Sequence, residues 1–236
     1  MPASRIRRIC EATNALKPDV IVLLGDYYGG TDIMTQAVHP DEWGEAFSFL
    51  RAPHGVFGVL GNHDIWHGPL PKMRGDDGET VTKTLRQAAV RVLDNQAVRI
   101  VKDGLPIWMV GLADQMAHRI ARGRYIGRDD LDGAMASVTD AAPVILLAHE
   151  PFIFPRVPER VSLTLCGHTH GGQVDLPFIG NPMLRKRLPR EHVYGHVNEN
   201  GRHMIVSAGL GVSIVPARFM RPPEIVLVTL GGPAIV

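Results

Sequence analysis

Apolar residues in this chain come in short solid runs, each cut off by glycine or by a polar residue. VIVLLGD, residues 20–26, is the first: five apolar positions rich in β-branching, halted at Gly25. A run that is apolar at every position reads as a strand covered on both faces, as in a parallel sheet, since a half-wet strand would alternate. The same design recurs in VFGVLGNHD, IWMVGLAD, VILLAHEP and SLTLCGHTH. Between these runs the spacing turns helical. Ile6, Ile9, Cys10 and Leu16 fall at helical spacing from Ser4 to Leu16, and the pattern stops where Lys17 precedes Pro18. Asp41 to Leu50, Glu79 to Leu93 and Asp129 to Val138 are helix-like too, the second with Val81, Leu85, Ala88 and Val92 on one face. Strands alternating with helices predict the α/β class. The last third differs: HVYGHV, HMIVSAG and EIVLVTL leave little room for helices and predict consecutive strands in antiparallel or mixed pairing. Asp175 to Glu191, with RKRLPR inside it, has no period and reads as a long surface loop.

Composition narrows the picture without redirecting it. The 236 residues suit one large α/β domain spanning 1–236, and the chain holds no repeat or low-complexity block. A formal net charge of +1 gives no reason to expect nucleic-acid binding. The basic stretches HRIARGRYIGR and RKRLPR read first as solvated surface, with contact to phosphate or to an acidic membrane surface as the alternative. Cys10 and Cys166 are too far apart and too few to suggest a disulfide framework. No apolar stretch approaches a membrane span and MPASRIRRIC lacks the apolar middle of a signal peptide, so a cytoplasmic address is expected for the chain as it stands.

Candidate chemistry gathers where the strands end. In open α/β sheets ligands bind outside the carboxyl ends of the strands, and those ends carry Asp26, Asn62, His63, Asp64, His149, His168 and His170. Singly, each has an ordinary structural reading; GNHD alone is an adequate tight turn. In GHTHGG two histidines at alternate positions are followed by glycines that let the backbone come close, which favours a metal. Carboxylate and amide oxygens with imidazole nitrogens suit Mn, Fe or Zn better than Cu(I), Ca or an iron–sulfur cluster. Tyr27, Tyr28 and Trp66 flank these motifs and read as packing residues, with a place in a leaving-group pocket as the alternative.

GDYY at Gly25 to Tyr28, GNHD at Gly61 to Asp64, AHEP at Ala148 to Pro151 and GHTHGGQ at Gly167 to Gln173 resemble, in order, motifs two to five of the calcineurin-like metallophosphoesterases. NALKPD before the first, and SAGLG and PPEI near the end, are similar to a bacterial branch rich in membrane-associated phosphodiesterases. The resemblance implies a four-layer sandwich of two mixed β-sheets flanked by helices. It also implies roles: Asp26 bridging two metals, Asn62, His149 and His168 completing one site, and His170 belonging to the other. His63 would face the substrate with Asp64 behind it, setting its tautomer. A metal-bound hydroxide would attack the phosphorus of a small-molecule or lipid-headgroup phosphoester, and His63 would assist the leaving group.

The family's first motif, a DxH after a first strand, has no counterpart before Asp26. Asp32, His39 and His67 lack the spacing to replace it and are expected to be solvated. Two explanations are open. Met1 is an internal methionine taken as a start, in which case a longer product carries the strand and an export or anchoring segment; or the short chain is genuine and has lost half its binuclear centre. The first is favoured, because NALKPD through PPEI is otherwise complete. For the chain as given, one well-formed metal site and one weak or empty one are expected. The strand edge left open makes a homodimer a further expectation. Two rival functions stand beside a phosphodiesterase: a metal- or phosphate-binding remnant without catalysis, and a mononuclear zinc hydrolase of another fold with His168 and His170 on one ion.

Overall fold

A computed structural model describes residues 1–29, 38–68, 75–174, 188–213 and 216–231. Helix α1 (Ala3–Ala15) is followed by β1 (Ile21–Leu23), α2 (Pro40–Phe47), β2 (Val56–Gly58), α3 (Asn62–Trp66), α4 (Glu79–Gln87) and β3 (Val90–Val92). The chain continues through β4 (Gln96–Lys102), β5 (Leu105–Gly111), the small strands β6 (His118–Ala121) and β7 (Arg124–Ile126), α5 (Leu131–Ala136) and β8 (Val144–Leu147). Last come β9 (Leu163–Cys166), β10 (Gly195–Glu199) and β11 (Arg202–Val206).

The smaller sheet has the order β1-β2-β3, parallel throughout, and the larger has the order β10-β11-β9-β8-β5-β4. In the larger sheet β5, β8, β9 and β11 run parallel, with antiparallel β4 and β10 at its edges. Alternation within each strand sorts the side chains into three apolar layers. Ile21, Val56, Val90 and Val92 pack outward against Ile6 and Cys10 of α1, Trp43 of α2 and Leu85 of α4. Phe57, Val59, Met109, Ile145 and Leu147 meet between the sheets. Val110, Val144, Leu146 and Met204 face outward against Leu131 of α5 and Phe154 of the 3₁₀ turn Pro151–Arg156. Helix, sheet, sheet, helix is the layering the sequence led us to expect.

Several local differences have physical causes. The apolar face assigned to one helix over Glu79 to Leu93 is split: α4 stops at Gln87, Ala89 adopts φ 61°, and VRV becomes β3. Val90 and Val92 continue the apolar count but are β-branched residues that favour a pleated surface. HRIARGRYI, within a basic stretch for which no strand is expected, forms the β6–β7 hairpin. EIVLVTL, read as a strand, joins no sheet, and Leu227 and Leu230 are 58% and 55% exposed. The loop from Asp175 to Glu191 and Asp32 lie wholly or mostly outside the described residues.

Among the described residues no strand pairs with the outer edge of β1. Beside that edge is a cavity of roughly 740 Å³, lined by Val22, Leu24, Met109, Ile145, Leu165 and Val226. The inter-sheet core is therefore only partly closed: Val20, Val22, Leu24, Ile107 and Leu165 pack against it while remaining half-buried. One end of the cavity is bounded by Asp26, His149, His168 and His170.

Candidate metal centre

Parallel pairing puts the ends of β1, β2, β8 and β9 on one side of the sandwich, so the residues after each strand converge. Asp26 follows β1, Asn62 and His63 open α3 just after β2, His149 follows β8, and His168 follows β9. The turns are tight. Asp26, His168 and His170 have φ of 59°, 64° and 53°, a left-handed region that side-chain-bearing residues rarely occupy, and such strain collects at functional sites. Glycine is required where the loops touch: a Cβ on Gly25 would lie 2.7 Å from His149 Nδ1, and one on Gly61 would lie 2.6 Å from His149 Cε1.

Ligand atoms of Asp26, His149 and His168 lie within 4.8 Å of one another. His149 Nδ1 donates to the Leu24 carbonyl at 2.5 Å, which fixes the tautomer and leaves Nε2 turned inward. Nε2 stands 3.1 Å from Asp26 Oδ2 yet makes no hydrogen bond with it, since the angles are wrong for one. A buried nitrogen and a carboxylate that are close but not aimed at each other suit a third body between them, and a cation fits that description. Asn62 is buried, with Oδ1 3.1 Å from His168 Nδ1, which brings a fourth donor to the set. His170 is placed apart: its Nδ1 turns to the Gly211 carbonyl at 3.4 Å, and it is not among the three converging groups.

Electrostatics agrees with this arrangement. Burial opposes charge on Asp26, but His149 outweighs it and holds the carboxyl well below the usual range. His149 is pushed up in return, burial being overcome by Asp26. A proton or a metal ion at Nε2 answers the same carboxylate. His168 is lowered to about 3 by burial and then by His149, so its imidazole is neutral, as a ligand must be.

Asp64 is not where the sequence put it. Its Oδ2 accepts from the N–H groups of Asp26 (2.8 Å) and Gly61 (2.9 Å), and its Oδ1 from those of Tyr27 (2.7 Å) and Tyr28 (3.0 Å). None of these bonds goes to His63, so the expected dyad gives way to a clasp between the loop after β1 and the loop after β2. The reason is local: at the third position of α3, a carboxylate points back over the helix N-terminus, where N–H groups are unpaired. Burial, then Asp26, raises Asp64 to about 7. His63 is held otherwise: its N–H donates to Asp26 Oδ1 at 2.9 Å, and its ring stacks on His67 at 5.0 Å and meets Trp66 edge-on at 5.7 Å. His67 is thus part of the site's wall and not a solvated residue, whereas His39 does cap a surface helix, α2. Tyr27 and Tyr28 pack on Trp43.

Two acids were missed. Asp114 follows β5 and Glu150 follows β8, and because Gly111 pairs with Leu147 in register, these residues three positions later come side by side. Both are fully buried, and burial raises both carboxyl groups, Glu150 well above the ordinary range. Asp114 Oδ2 and Glu150 Oε1 have no hydrogen-bond partner, and a proton held between the two carboxyl groups would relieve the repulsion of two buried acids. Gln115 ties the pair to the next loop through Glu150 O (3.1 Å) and Oε2 (3.3 Å). The signal was available, since GLAD and AHEP both end predicted strands in an acid.

Residues 3–172 match the family described as calcineurin-like phosphoesterase. The chain belongs to that family. As a calcineurin-like phosphoesterase it is a metal-dependent hydrolase of phosphoesters, and the converging Asp26, His149 and His168 are a possible place for the metal. It is 31% identical over 230 residues to an uncharacterised metallophosphoesterase, YkuE, of Bacillus subtilis, covering 95% of this chain and 72% of that one. Phosphodiesterase YaeI of Escherichia coli is 29% identical over 215 residues, covering 91% and 71%. Among solved structures, the phosphopantetheinyl hydrolase of Mycobacterium tuberculosis aligns with a TM-score of 0.46 at 13% identity, covering 84% of this chain and 80% of that one. Family membership sets aside a zinc hydrolase of another fold. No helix among the described residues is long and apolar enough to cross a membrane.

Proposed function

We propose that this calcineurin-like phosphoesterase hydrolyses phosphodiesters, with Asp26, Asn62, His149 and His168 holding one divalent transition metal, Mn, Fe or Zn. The observation that carries this reading is the inward, unbonded His149 Nε2 beside Asp26 Oδ2. A metal there would neutralise phosphoryl charge and lower the pKa of water. The protein's own part is to orient and to exchange protons. Asp26 holds the backbone of His63, His67 and Trp66 wall in the His63 ring, and the imidazole delivers a proton to the departing alkoxide as water adds to phosphorus and the ester P–O bond breaks. Asp64 serves by clasping the two loops, and His170 stays outside the ligand set, so a second metal position is weak.

Hydrolysis of bis-p-nitrophenyl phosphate with added Mn tests the reading. Turnover should fall about a hundredfold or more in His63→Ala, with metal content retained, and in Asp26→Ala, with metal content lost. Equal rates in wild type and both variants would leave a metal-binding remnant as the better account. We further propose that the open edge of β1 pairs with a second copy of the chain. Light scattering at micromolar concentration should give the dimer mass, and a monomer sinks the idea.

A further inference from the structure

The β6–β7 hairpin stands outside both sheets, and its composition has no use inside the fold. All of β6 is exposed, and in β7 only Tyr125 is partly covered. Ile120 and Ile126 are 52% and 54% exposed, beside Arg119, Arg122 and Arg124. Among the described residues none of these three arginines pairs with a carboxylate, whereas the neighbouring cations are engaged: Arg128 reaches Asp94, and Arg156 reaches Asp129. Residues 116–128 contain no acid. Two strands alone are marginal in water, so the hairpin needs an anchor. Tyr125 stacks on Trp66 at 5.5 Å and 14°, and Trp66 Nε1 donates to the carbonyls of Met116 (3.1 Å) and Ala117 (3.0 Å) at the hairpin's root. Trp66 also touches His63, so the hairpin is fixed at the rim of the metal cleft.

We infer that this hairpin is a docking surface for an anionic lipid bilayer. Register places Ile126 opposite His118, and alternation puts Arg124 on that same face, away from the Tyr125 face that grips Trp66. Ile120 lies at the bulge between Arg119 and Ala121. Aliphatic side chains that would be a liability in water gain by entering the headgroup boundary, while the arginine stems lie along it and hold their guanidinium groups among lipid phosphates. Nucleic acid fits less well: the hairpin's one aromatic ring is spent on Trp66, and exposed isoleucines find no partner on a phosphate backbone. That the docked cleft then faces phosphoesters of the lipid surface rests on the proposed function; the docking itself does not.

Vesicle co-sedimentation of the full chain decides the matter. Wild type should bind phosphatidylcholine vesicles containing about a third phosphatidylglycerol at least tenfold more tightly than pure phosphatidylcholine vesicles, and about 0.5 M NaCl should release it. Arg122→Glu/Arg124→Glu should abolish binding, Ile120→Ser/Ile126→Ser should weaken it about tenfold, and Arg122→Lys/Arg124→Lys should keep it. Hydrolysis of a soluble diester should be unchanged in all three, which separates a failure here from a failure of the catalytic reading. Binding that ignores lipid charge, survives in the charge-reversed variant, or is outcompeted by single-stranded oligonucleotide overturns the proposal. Should a variant fail to fold, the lipid and salt dependence of wild type still decides.

Discussion

Asp64 and Glu150 show how a residue's type can be legible while its task is not. Both sit in motifs that the sequence brings forward, and both are buried carboxyl groups next to metal-ligand candidates. What they do depends on which N–H or carboxyl group the register sets opposite them, a long-range fact absent from the local sequence. For Asp64 the neighbours are four backbone N–H groups; for Glu150 the neighbour is another acid. Burial raises Glu150 well above the ordinary range beside Asp114, so Glu150→Gln, which offers a donor in the same shape, should change stability by less than about 1 kcal/mol. Glu150→Ala should cost about 2 kcal/mol or more, because the N–H of Gln115 and the Asp114 carboxyl lose a buried partner. Thermal melts of the two variants check this, and equal losses in both would contradict the shared proton.

Elements were readable where the pattern had one explanation. The solid apolar runs of β1, β2, β5, β8 and β9 announced strands buried on both faces, and Asp26, His149 and His168 beyond three of them lie together, with His170 left aside. Ambiguity entered where apolar spacing served two periods, as in the passage from α4 to β3, where only the left-handed turn at Ala89 separates helix from strand. The hairpin was obscured for the opposite reason: its strands bury almost nothing, so no hydrophobic pattern could reveal them. Pairing and one stacked ring hold it in place. EIVLVTL carried a strand's pattern but pairs with neither sheet among the described residues, and a strand exists only as one side of a pair.

At the scale of the molecule, four layers surround an inter-sheet core that the described residues do not fill. Packed interiors tolerate few voids larger than a water molecule, so a cavity of roughly 740 Å³ beside an open strand edge is a departure from ordinary packing. Its lining forfeits dispersion contacts and its apolar surface stays available to other molecules. The native protein should therefore enhance the fluorescence of 1-anilinonaphthalene-8-sulfonate without added denaturant, and Val22→Phe, which enlarges a half-buried side chain lining the cavity, should reduce the enhancement while raising the melting temperature. A native state dark to the dye would mean that the cavity is closed in solution.

The clasp made by Asp64 also bears on how the centre acquires its ion. Its four bonds join protein to protein and need no metal, so the loops after β1 and β2 keep their relation whether or not a cation is present. If Asp26, His149 and His168 hold a metal, the ion would enter loops already set in place by these bonds. On that reading a chelator should empty the site and added metal should restore turnover without a refolding step, so that occupancy would follow the supply of metal around the protein.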